Sequence, residues 1–347
     1  MNLVYFQQAG RPNFGDDLNS WMWKSLFPKE LCGDDGVNLS GIGTILNASL
    51  MPPGRKWIVL GSGVGYGCVP SDWGGPKWKV LALRGPLSAG VLKLRPELAV
   101  TDAAILLREI AGLDSIPESE RSGIVFVPHH SCIQTGNWEL ACTIAGLEYL
   151  DPLSDSRLLV ERIRHAKCVI ADAMHGAIVA DTMRVPWIPV VTGSSISTFK
   201  WLDWTQSMRM DYRPHVLSPS TGIEKFRNMT NWMYGEENFV QDASEEIVVA
   251  HYQRAQRYRG AKWWRGWVRA ARGISYAVPA KIIGSLRASE SWKNGAIAHV
   301  ENAAKSLQIA SKMPSMLSDE KVFAQKSERM REAVAMVPRC IDELRVL

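Results

Sequence analysis

Residues 168–191 restrict the fold of this chain more than any other segment. Their sequence, CVIADAMHGAIVADTMRVPWIPVV, has two continuous apolar runs that flank a stretch with helical periodicity. Apolar runs without alternation are typical of parallel strands buried on both faces. The segment therefore predicts a strand, a turn, a helix and a second strand. His175 falls in the first turn of that helix, where free N–H groups and the helix dipole favour an anionic ligand.

The same alternation of apolar runs and helical periodicity continues over the first 220 residues. Strands are predicted at 3–6, 57–61, 79–83, 123–128, 167–172 and 187–191. Helices are predicted at 17–27, 86–94, 136–146, 156–165 and 175–184. Strands that alternate with helices in this way predict a doubly wound α/β architecture.

A polar segment and a change of pattern divide the chain into three parts. The polar segment, GLDSIPESERSG at 112–123, has the composition of a linker. Beyond residue 220 the strand signals stop, and long helices are predicted at 243–258, 297–311 and 319–347. We therefore predict a Rossmann-like domain at 1–118, a second one at 119–220, and a helical extension at 221–347.

Charge and cysteine usage argue against several classes of protein. The net charge is only +5, with 40 basic and 35 acidic residues, so no nucleic acid partner is indicated. The six cysteines form no CxxC pair and no regular spacing, which argues against a zinc site or a disulfide framework. The sequence has no signal-peptide pattern and no apolar run of about 18 residues. We expect a cytoplasmic protein with reduced thiols and no bound metal.

The segment RPNFGDDLNSWMW at 11–23 follows the first predicted strand and opens a helix. Asn13 and Asp16 would stand at the carboxyl end of a parallel strand, where open α/β sheets bind ligands. Asp16 is then a candidate proton-transfer group. The alternative is structural, because Asn13 and Asp16 can cap the helix and Gly15 permits a tight turn.

The glycine-rich segment GSGVGYG at 61–67 follows another predicted strand. It matches neither the dinucleotide fingerprint nor the P-loop. The backbone N–H groups of Gly61, Ser62 and Gly63 can nevertheless approach an anion closely. The alternative interpretation is a flexible turn between a strand and a helix.

Three cationic side chains are candidates for binding an anionic substrate. Arg84 ends a strand beside a helix start, which suits bidentate recognition of phosphate or carboxylate, although a surface arginine without a ligand is the alternative. His175 stands near Asp172, which can cap the helix, and a lone histidine is more often structural than catalytic. Lys200 follows the strand at 187–191 and can reach the same pocket.

Six motifs, in this order and spacing, resemble those of the polysaccharide pyruvyl transferase family: NFGDDLNSW, GSGVG, ALRGPLSA, VTDAAILL, FVPHH and MHGAIVADTMRVPWI. The nearest likeness is to bacterial exopolysaccharide ketal pyruvyltransferases of the type that acts in succinoglycan assembly. It covers about residues 3–205. The resemblance implies a fold like the GT-B glycosyltransferases, with the active site in the cleft between two Rossmann-like domains. It also implies phosphoenolpyruvate as the donor substrate, with no cofactor.

The resemblance also assigns roles to individual residues. The expected site consists of His175, Asp16 and Asn13 as catalytic residues, with Arg84, Lys200, Gly61, Ser62, Gly63 and His129 at the substrate. Ala173 departs from the family pattern, because many relatives carry an arginine two residues before the histidine. If that arginine clamps the donor phosphate, Arg84, Lys200 or an unassigned arginine must replace it.

The segment KWWRGWVRAARG at 262–273 mixes tryptophan with lysine and arginine at helical spacing. This composition suits the interface of an anionic membrane. The alternative is a helix that packs its tryptophan face on the protein body. Because exopolysaccharide repeats are built on a polyprenyl-linked carrier, we expect a glycan or polyprenyl-linked oligosaccharide acceptor and peripheral contact with the inner membrane.

These features together predict a ketal pyruvyltransferase. It would move pyruvate from phosphoenolpyruvate onto two hydroxyls of a sugar in an exopolysaccharide repeat or lipid-linked precursor, with release of phosphate. Two alternatives stay open: a glycosyltransferase of the same architecture that uses a nucleotide sugar, and a non-catalytic membrane-associated scaffold. Of the two enzymes, only the glycosyltransferase needs a pocket for a base and a ribose.

Overall fold

Two parallel β-sheets form the framework of the protein. The computed structural model describes residues 1–7, 12–31, 33, 36–242, 244–272 and 290–347. The first sheet has the order β1-β2-β3-β4, with β1 (Asn2–Val4), β2 (Val37–Ser40), β3 (Lys56–Leu60) and β4 (Trp78–Ala82). The second has the order β6-β5-β7-β8-β9, with β5 (Ile124–Val127), β6 (Glu148–Tyr149), β7 (Cys168–Ala171), β8 (Trp187–Val191) and β9 (His215–Val216). Neighbouring strands are parallel throughout both sheets.

Helices connect the strands and cover the sheets. Up to residue 220 they are α1 (Phe14–Asp17), α2 (Asn19–Leu26), α3 (Pro86–Val91), α4 (Trp138–Ala145), α5 (Ser156–Arg164), α6 (Met174–Thr182) and α7 (Thr198–Ser207). Beyond it they are α8 (Gly222–Thr230), α9 (Glu245–Gly260), α10 (Lys262–Arg272), α11 (Glu290–Ala310), α12 (Glu320–Ala335) and α13 (Val337–Arg345). Two 3-10 helices, Ala103–Glu109 and Asn231–Tyr234, also contribute to the region described below.

The α/β class and all six predicted strands are confirmed. Continuous apolar runs correspond to buried strands, and every residue of β8 is buried. The predicted helix at 17–27 is instead divided at Leu18 into α1 and α2. Strands β2, β6 and β9 have no clear signal in the sequence, because β2 carries Asn38 and Ser40 and the other two have only two residues each. The domain boundaries and the GT-B-like arrangement stay predictions.

The helices that follow residue 220 pack against both sheets. The predictions at 243–258, 297–311 and 319–347 correspond to α9, to α11, and to α12 with α13. Helix α11 packs on α4 and buries Leu307. Helices α12 and α13 pack on the first sheet and bury Met330 and Ile341 in its core. The region predicted as a helical extension therefore contributes to the hydrophobic core.

Some predicted features extend beyond the described residues. Arg11 at the start of the first motif, Cys32, and Gly273 at the end of the basic and aromatic segment lie outside them. Within the described ranges, no helix combines the length and the apolar character needed to cross a bilayer. In the same ranges, no group of three or more His, Cys, Asp or Glu side chains is placed to hold a metal ion.

Candidate functional site

A cavity of about 860 Å³ lies between the two sheets, at the carboxyl ends of their strands. The loops after β1, β2 and β3 supply one wall, and the loops after β5, β7 and β8 supply another. Open parallel sheets bind ligands at this edge. Five of the predicted site residues line the cavity: Asn13, Asp16, His129, His175 and Lys200.

Asp16 is the acidic group on the first-sheet wall. Its carboxylate accepts a hydrogen bond of 2.5 Å from the side-chain amide of Asn13. Burial raises the pKa of Asp16 to about 6, although nearby His175 and Lys200 oppose the rise. Asn13 does not cap α1 with its side chain; its backbone N–H donates to the Asp17 carboxylate at 3.0 Å instead. The side chains of Asn13 and Asp16 are therefore directed to each other and to the cavity.

Gly15 is required by a close approach, not by the predicted tight turn. Its backbone has no positive φ and lies in α1. A Cβ atom at this position would be 1.9 Å from Nδ1 of His175, far below any allowed contact. The loop after β1 and the helix after β7 therefore meet at Gly15 and His175, which joins the walls contributed by the two sheets.

His175 lies in the first turn of α6, as predicted. The N-cap residue is Ala173, which has no side-chain hydrogen bond to the helix, so the N-terminal N–H groups of α6 face the cavity without a side-chain cap. On the other side of the imidazole, Nε2 lies 3.7 Å from Oδ2 of Asp102. Asp102 is fully buried and caps the 3-10 helix Ala103–Glu109 by accepting from the N–H of Ala104 at 3.0 Å.

The expectation that Asp172 caps α6 is wrong. Its buried carboxylate accepts the N–H of His129 at 2.8 Å, and the N–H and hydroxyl of Thr192 at 3.0 and 2.8 Å. Burial raises the pKa of Asp172 to about 6, and these hydrogen bonds limit the rise. Asp172 therefore ties together the loops that follow β5 and β8, and it fixes the backbone from which His129 reaches the cavity.

The rings of His129 and His130 are in contact on the second-sheet wall, with centroids 4.2 Å apart and planes tilted by 39°. Nδ1 of His129 accepts the N–H of Ser131 at 3.3 Å, which leaves the ring proton on Nε2. Burial lowers the pKa of His129 well below its ordinary value and that of His130 to about 4, and Lys200 and Arg227 add to both shifts. Both rings are therefore neutral hydrogen-bonding groups at pH 7.

Lys200 and Arg259 form a cationic pair around one aromatic ring. Nζ of Lys200 lies 4.6 Å from the centroid of the Tyr66 ring, and the Arg259 guanidinium carbon lies 6.0 Å from it. Arg259 also donates to the carbonyl of Gly235 and to Oδ1 of Asn238, at 2.8 and 3.0 Å. These contacts fix the guanidinium of α9 at the cavity wall.

Arg227 brings a third cation to the same cavity. It extends from α8, and its Nη1 donates to the carbonyl of Ser131 at 2.9 Å. Ser131 itself follows His129 and His130, so Arg227 is anchored to the loop that carries the neutral histidine pair. Three long cationic side chains, two acidic groups (Asp16 and Glu236) and three histidines therefore share one cavity.

A curated relative is similar to this chain over more than half of its length. The chain is 38% identical over 223 residues to the succinoglycan biosynthesis protein ExoV of Rhizobium meliloti (strain 1021), which corresponds to 63% of this chain and 69% of the relative. The chain belongs to the succinoglycan-type pyruvyltransferases of the polysaccharide pyruvyl transferase family. Membership supports a transferase of exopolysaccharide biosynthesis. No family model and no solved structure matches the chain.

Arg84 does not line the cavity, contrary to the expected placement. Its side chain is fully buried, and Nε and Nη2 both lie 3.0 Å from Oδ2 of Asp203. The remaining donors reach Oγ1 of Thr44 at 2.9 Å and the carbonyl of Val64 at 2.8 Å. Because Thr44 lines the cavity, Arg84 supports the wall from behind, and its ionic partner is a protein carboxylate.

The Gly61-Ser62-Gly63 turn is likewise set back from the cavity. Gly61 has φ +95°, and a Cβ there would lie 2.6 Å from Ala103. A Cβ at Gly63 would lie 2.5 Å from the Arg84 guanidinium, and Ser62 is fully buried. The turn therefore serves close packing, whereas the later part of the same loop, with Tyr66, reaches the cavity.

Sequence reasoning missed Arg227, Arg259 and Asp102. The two arginines lie beyond the region of family resemblance. Arg259 is also one of several basic residues of α9, and the sequence does not show that it lines the cavity whereas Arg254 and Arg257 do not. Arg227 and Arg259 place guanidinium groups at the cavity, although position 173 carries alanine instead of the arginine of many relatives. Asp102 falls within the family motif VTDAAILL, and this motif could have identified it as a candidate site residue.

Proposed function

We propose that the protein transfers pyruvate from phosphoenolpyruvate onto two hydroxyls of one sugar in an exopolysaccharide repeat or lipid-linked precursor, and releases phosphate. The observation that carries this proposal is the convergence of Lys200, Arg227 and Arg259 with Asp16 and His175 on one cavity. A small polyanion needs several cations, and a ketal-forming reaction needs groups that exchange protons.

The cationic groups suit a donor with two anionic ends. Phosphoenolpyruvate carries a carboxylate and a phosphate, and guanidinium groups bind both in a bidentate geometry. Arg227 and Arg259 supply two such groups, and Lys200 supplies a point charge near them. The uncapped N-terminus of α6 adds N–H donors and the positive end of its dipole. These groups take the place of the arginine that many relatives carry at the position of Ala173.

The reaction requires a defined balance of protons and bonds. C3 of phosphoenolpyruvate gains a proton and becomes a methyl group, which leaves C2 as an oxocarbenium-like centre. Two sugar hydroxyls form C–O bonds to C2, and the bond from C2 to the phosphate oxygen breaks. Of the two hydroxyl protons, one replaces the proton given to C3 and the other leaves with the phosphate.

Asp16 and His175 are the proton-transfer groups in this scheme. With a pKa of about 6, Asp16 is largely ionised at pH 7 yet basic enough to accept a hydroxyl proton, which suits a general base. His175 gives a proton to C3, and the hydroxyl proton that Asp16 accepts is returned to His175 through solvent, which restores both groups for the next turnover. Asn13 holds the Asp16 carboxylate by donating to it.

Labelled donors decide between this proposal and nucleotide-sugar chemistry. The purified protein is incubated with a glycan-lipid acceptor and either phosphoenolpyruvate labelled in its pyruvyl carbons or labelled UDP-sugars. We expect pyruvyl label on the glycan and phosphate release only when the acceptor is present. Sugar transfer with release of UDP, and no change in phosphoenolpyruvate, would replace the proposal with a glycosyltransferase. No transfer from either donor, with vesicle binding retained, would favour the scaffold.

We also propose that α10 holds the protein against an anionic membrane surface next to the acceptor. Trp264 and Val268 of α10 line the cavity, whereas Trp263 and Trp267 are 62% and 49% exposed. Trp232, from the adjoining 3-10 helix, is 61% exposed. Exposed tryptophans beside the cavity suit insertion at the headgroup level, which would bring a lipid-linked acceptor to the reacting groups.

A further inference from the structure

Asp102 and His175 carry two buried polar atoms that face each other. Oδ2 of Asp102 and Nε2 of His175 are both buried, and neither has a hydrogen-bond partner in the part of the chain that the structure describes. They lie 3.7 Å apart. Leaving either atom unpaired costs free energy, so each is the natural partner of the other.

The Asp102 carboxylate is held in place on its other side. Oδ1 accepts the N–H of Ala104 at 3.0 Å and so caps the 3-10 helix Ala103–Glu109. This 3-10 helix packs against α6, the helix that carries His175. Asp102 itself does not line the cavity. Its influence on the cavity therefore passes through the imidazole.

The two nitrogens of His175 have different surroundings. Nε2 is turned towards buried Asp102, whereas Nδ1 lies against Gly15, which lines the cavity with His175. In a neutral histidine, the hydrogen-bond partners of the two nitrogens decide which nitrogen carries the proton. A carboxylate opposite Nε2 can only accept a hydrogen bond, so it favours the proton on Nε2.

We infer that Asp102 is a positioning residue that keeps the proton of His175 on Nε2 and leaves Nδ1 as the nitrogen that exchanges protons in the cavity. The role of Nδ1 in proton exchange rests on the proposed function, whereas the position of the proton on Nε2 does not. At 3.7 Å the two atoms lie beyond hydrogen-bond distance, but the carboxylate still acts electrostatically on the N–H opposite it.

Other charged groups act on the same cavity, but none of those identified replaces Asp102. Asp16 interacts electrostatically with both His175 and Lys200 on the cavity side. His129 interacts with His175 from the second-sheet wall. Asp102 is the carboxylate found opposite Nε2 among the described residues. Removing its charge therefore isolates its effect on the ring.

The test is the tautomer of His175, read from the imidazole ¹⁵N and ¹H resonances of the full-length protein. His175→Gln identifies the resonances of this ring among the seven histidines. We expect the neutral ring of the wild type to carry its proton on Nε2. A proton on Nδ1 in the wild type overturns the inference without any variant, so the test does not depend on a mutant that folds.

Asp102→Asn then tests the cause. Asparagine retains an oxygen that can accept the Ala104 N–H but offers no charge to Nε2. We expect a mixed tautomer population and a kcat lowered ~10- to 100-fold with the KM for phosphoenolpyruvate little changed, because only the proton-transfer geometry is lost. An unchanged tautomer with unchanged kcat would overturn the inference.

Asp181→Asn is the matched control. Asp181 is a buried carboxylate on the same helix α6, but it bonds to Ser318 and Trp187 instead of His175. We expect this variant to lose stability without altering the His175 tautomer. A tautomer shift in Asp102→Asn combined with no pyruvyl transfer by the wild type would contradict the proposed function and leave the positioning role standing.

Discussion

Gly15 and His175 approach so closely that a single methyl group cannot fit between them. A Cβ at Gly15 would lie 1.9 Å from Nδ1 and 2.4 Å from Cγ of the imidazole. The two residues lie in helices α1 and α6, which follow β1 and β7, and these strands belong to different sheets. The glycine of NFGD and the histidine of MHG, 160 positions apart in the chain, are therefore parts of one contact.

Gly15→Ala should displace His175 without unfolding the protein. The imidazole must move, and a shift of about 1 Å in a catalytic group can lower turnover about 100-fold. We expect that loss in kcat, measured with phosphoenolpyruvate and a glycan acceptor. Gly90→Ala is the control, because a Cβ at Gly90 in α3 meets nothing within 4 Å. Equal activity of the two variants would mean that the His175 position is not critical.

Arg84 should prove a stability residue and not a donor-binding residue. Arg84→Met leaves Asp203 buried without its cation, which costs about 3–5 kcal/mol in the free energy of unfolding. Arg213→Met breaks an exposed pair with Asp211 and should change stability by less than about 1 kcal/mol. Urea denaturation measures both. A stable Arg84→Met protein that has lost affinity for phosphoenolpyruvate would show that Arg84 reaches the donor after all.

The raised pKa of Asp16 predicts how stability depends on pH. The pKa is about 6 when folded and 3.8 ordinarily, so between these values the folded state binds more protons than the unfolded state. Stability therefore falls as pH rises from about 4 to 6 and stays reduced above, by at most about 3 kcal/mol. Asp16→Asn lacks this loss, so its stability relative to the wild type should increase between pH 4 and pH 7.

Denaturation of the wild type and Asp16→Asn across this pH range provides the measurement. Asp211→Asn is the control, because Asp211 is 84% exposed in its side chain and should show no such dependence. Parallel stability curves for the wild type and Asp16→Asn would contradict a raised pKa. Turnover of Asp16→Asn should fall by about 100-fold or more, because the general base is lost.

Trp263 should contribute to membrane binding but not to folding. Trp263→Gln replaces an exposed indole of α10 by a polar side chain. We expect weaker binding to vesicles of phosphatidylglycerol and phosphatidylcholine, with turnover of a water-soluble acceptor retained. Leu158→Gln removes another exposed apolar side chain, 68% exposed on α5, and should leave vesicle binding unchanged. Equal binding by both variants and the wild type would contradict the membrane proposal.

The sequence predicted the strands and the chemistry of the loops better than the partners of individual side chains. Continuous apolar runs identify buried parallel strands, and loops after such strands converge on one edge, which is why Asp16, His129, His175 and Lys200 could be grouped in advance. Strand β2 escaped because polar Asn38 and Ser40 interrupt its apolar pattern.

Partners that are distant in sequence could not be predicted. Arg84 looks the same in the sequence whether it binds a substrate or Asp203, which lies 119 residues away. Asp172 stands where a helix cap is expected, yet its carboxylate bonds to Thr192 and His129, which belong to loops after two other strands. Such choices depend on tertiary packing, and local propensity carries no information on them.

The central claim is that this cavity binds phosphoenolpyruvate as the donor of pyruvate. Acceptor-dependent phosphate release, followed as a function of phosphoenolpyruvate concentration, tests it most directly in the wild type, Arg259→Gln and Arg257→Gln. We predict that Arg259→Gln raises the donor KM roughly 10- to 100-fold, since a hydrogen-bonded charge contributes about 1.5–3 kcal/mol, while exposed Arg257 on the same helix has no effect. No acceptor-dependent phosphate release by the wild type, or identical donor curves for all three proteins, would contradict it.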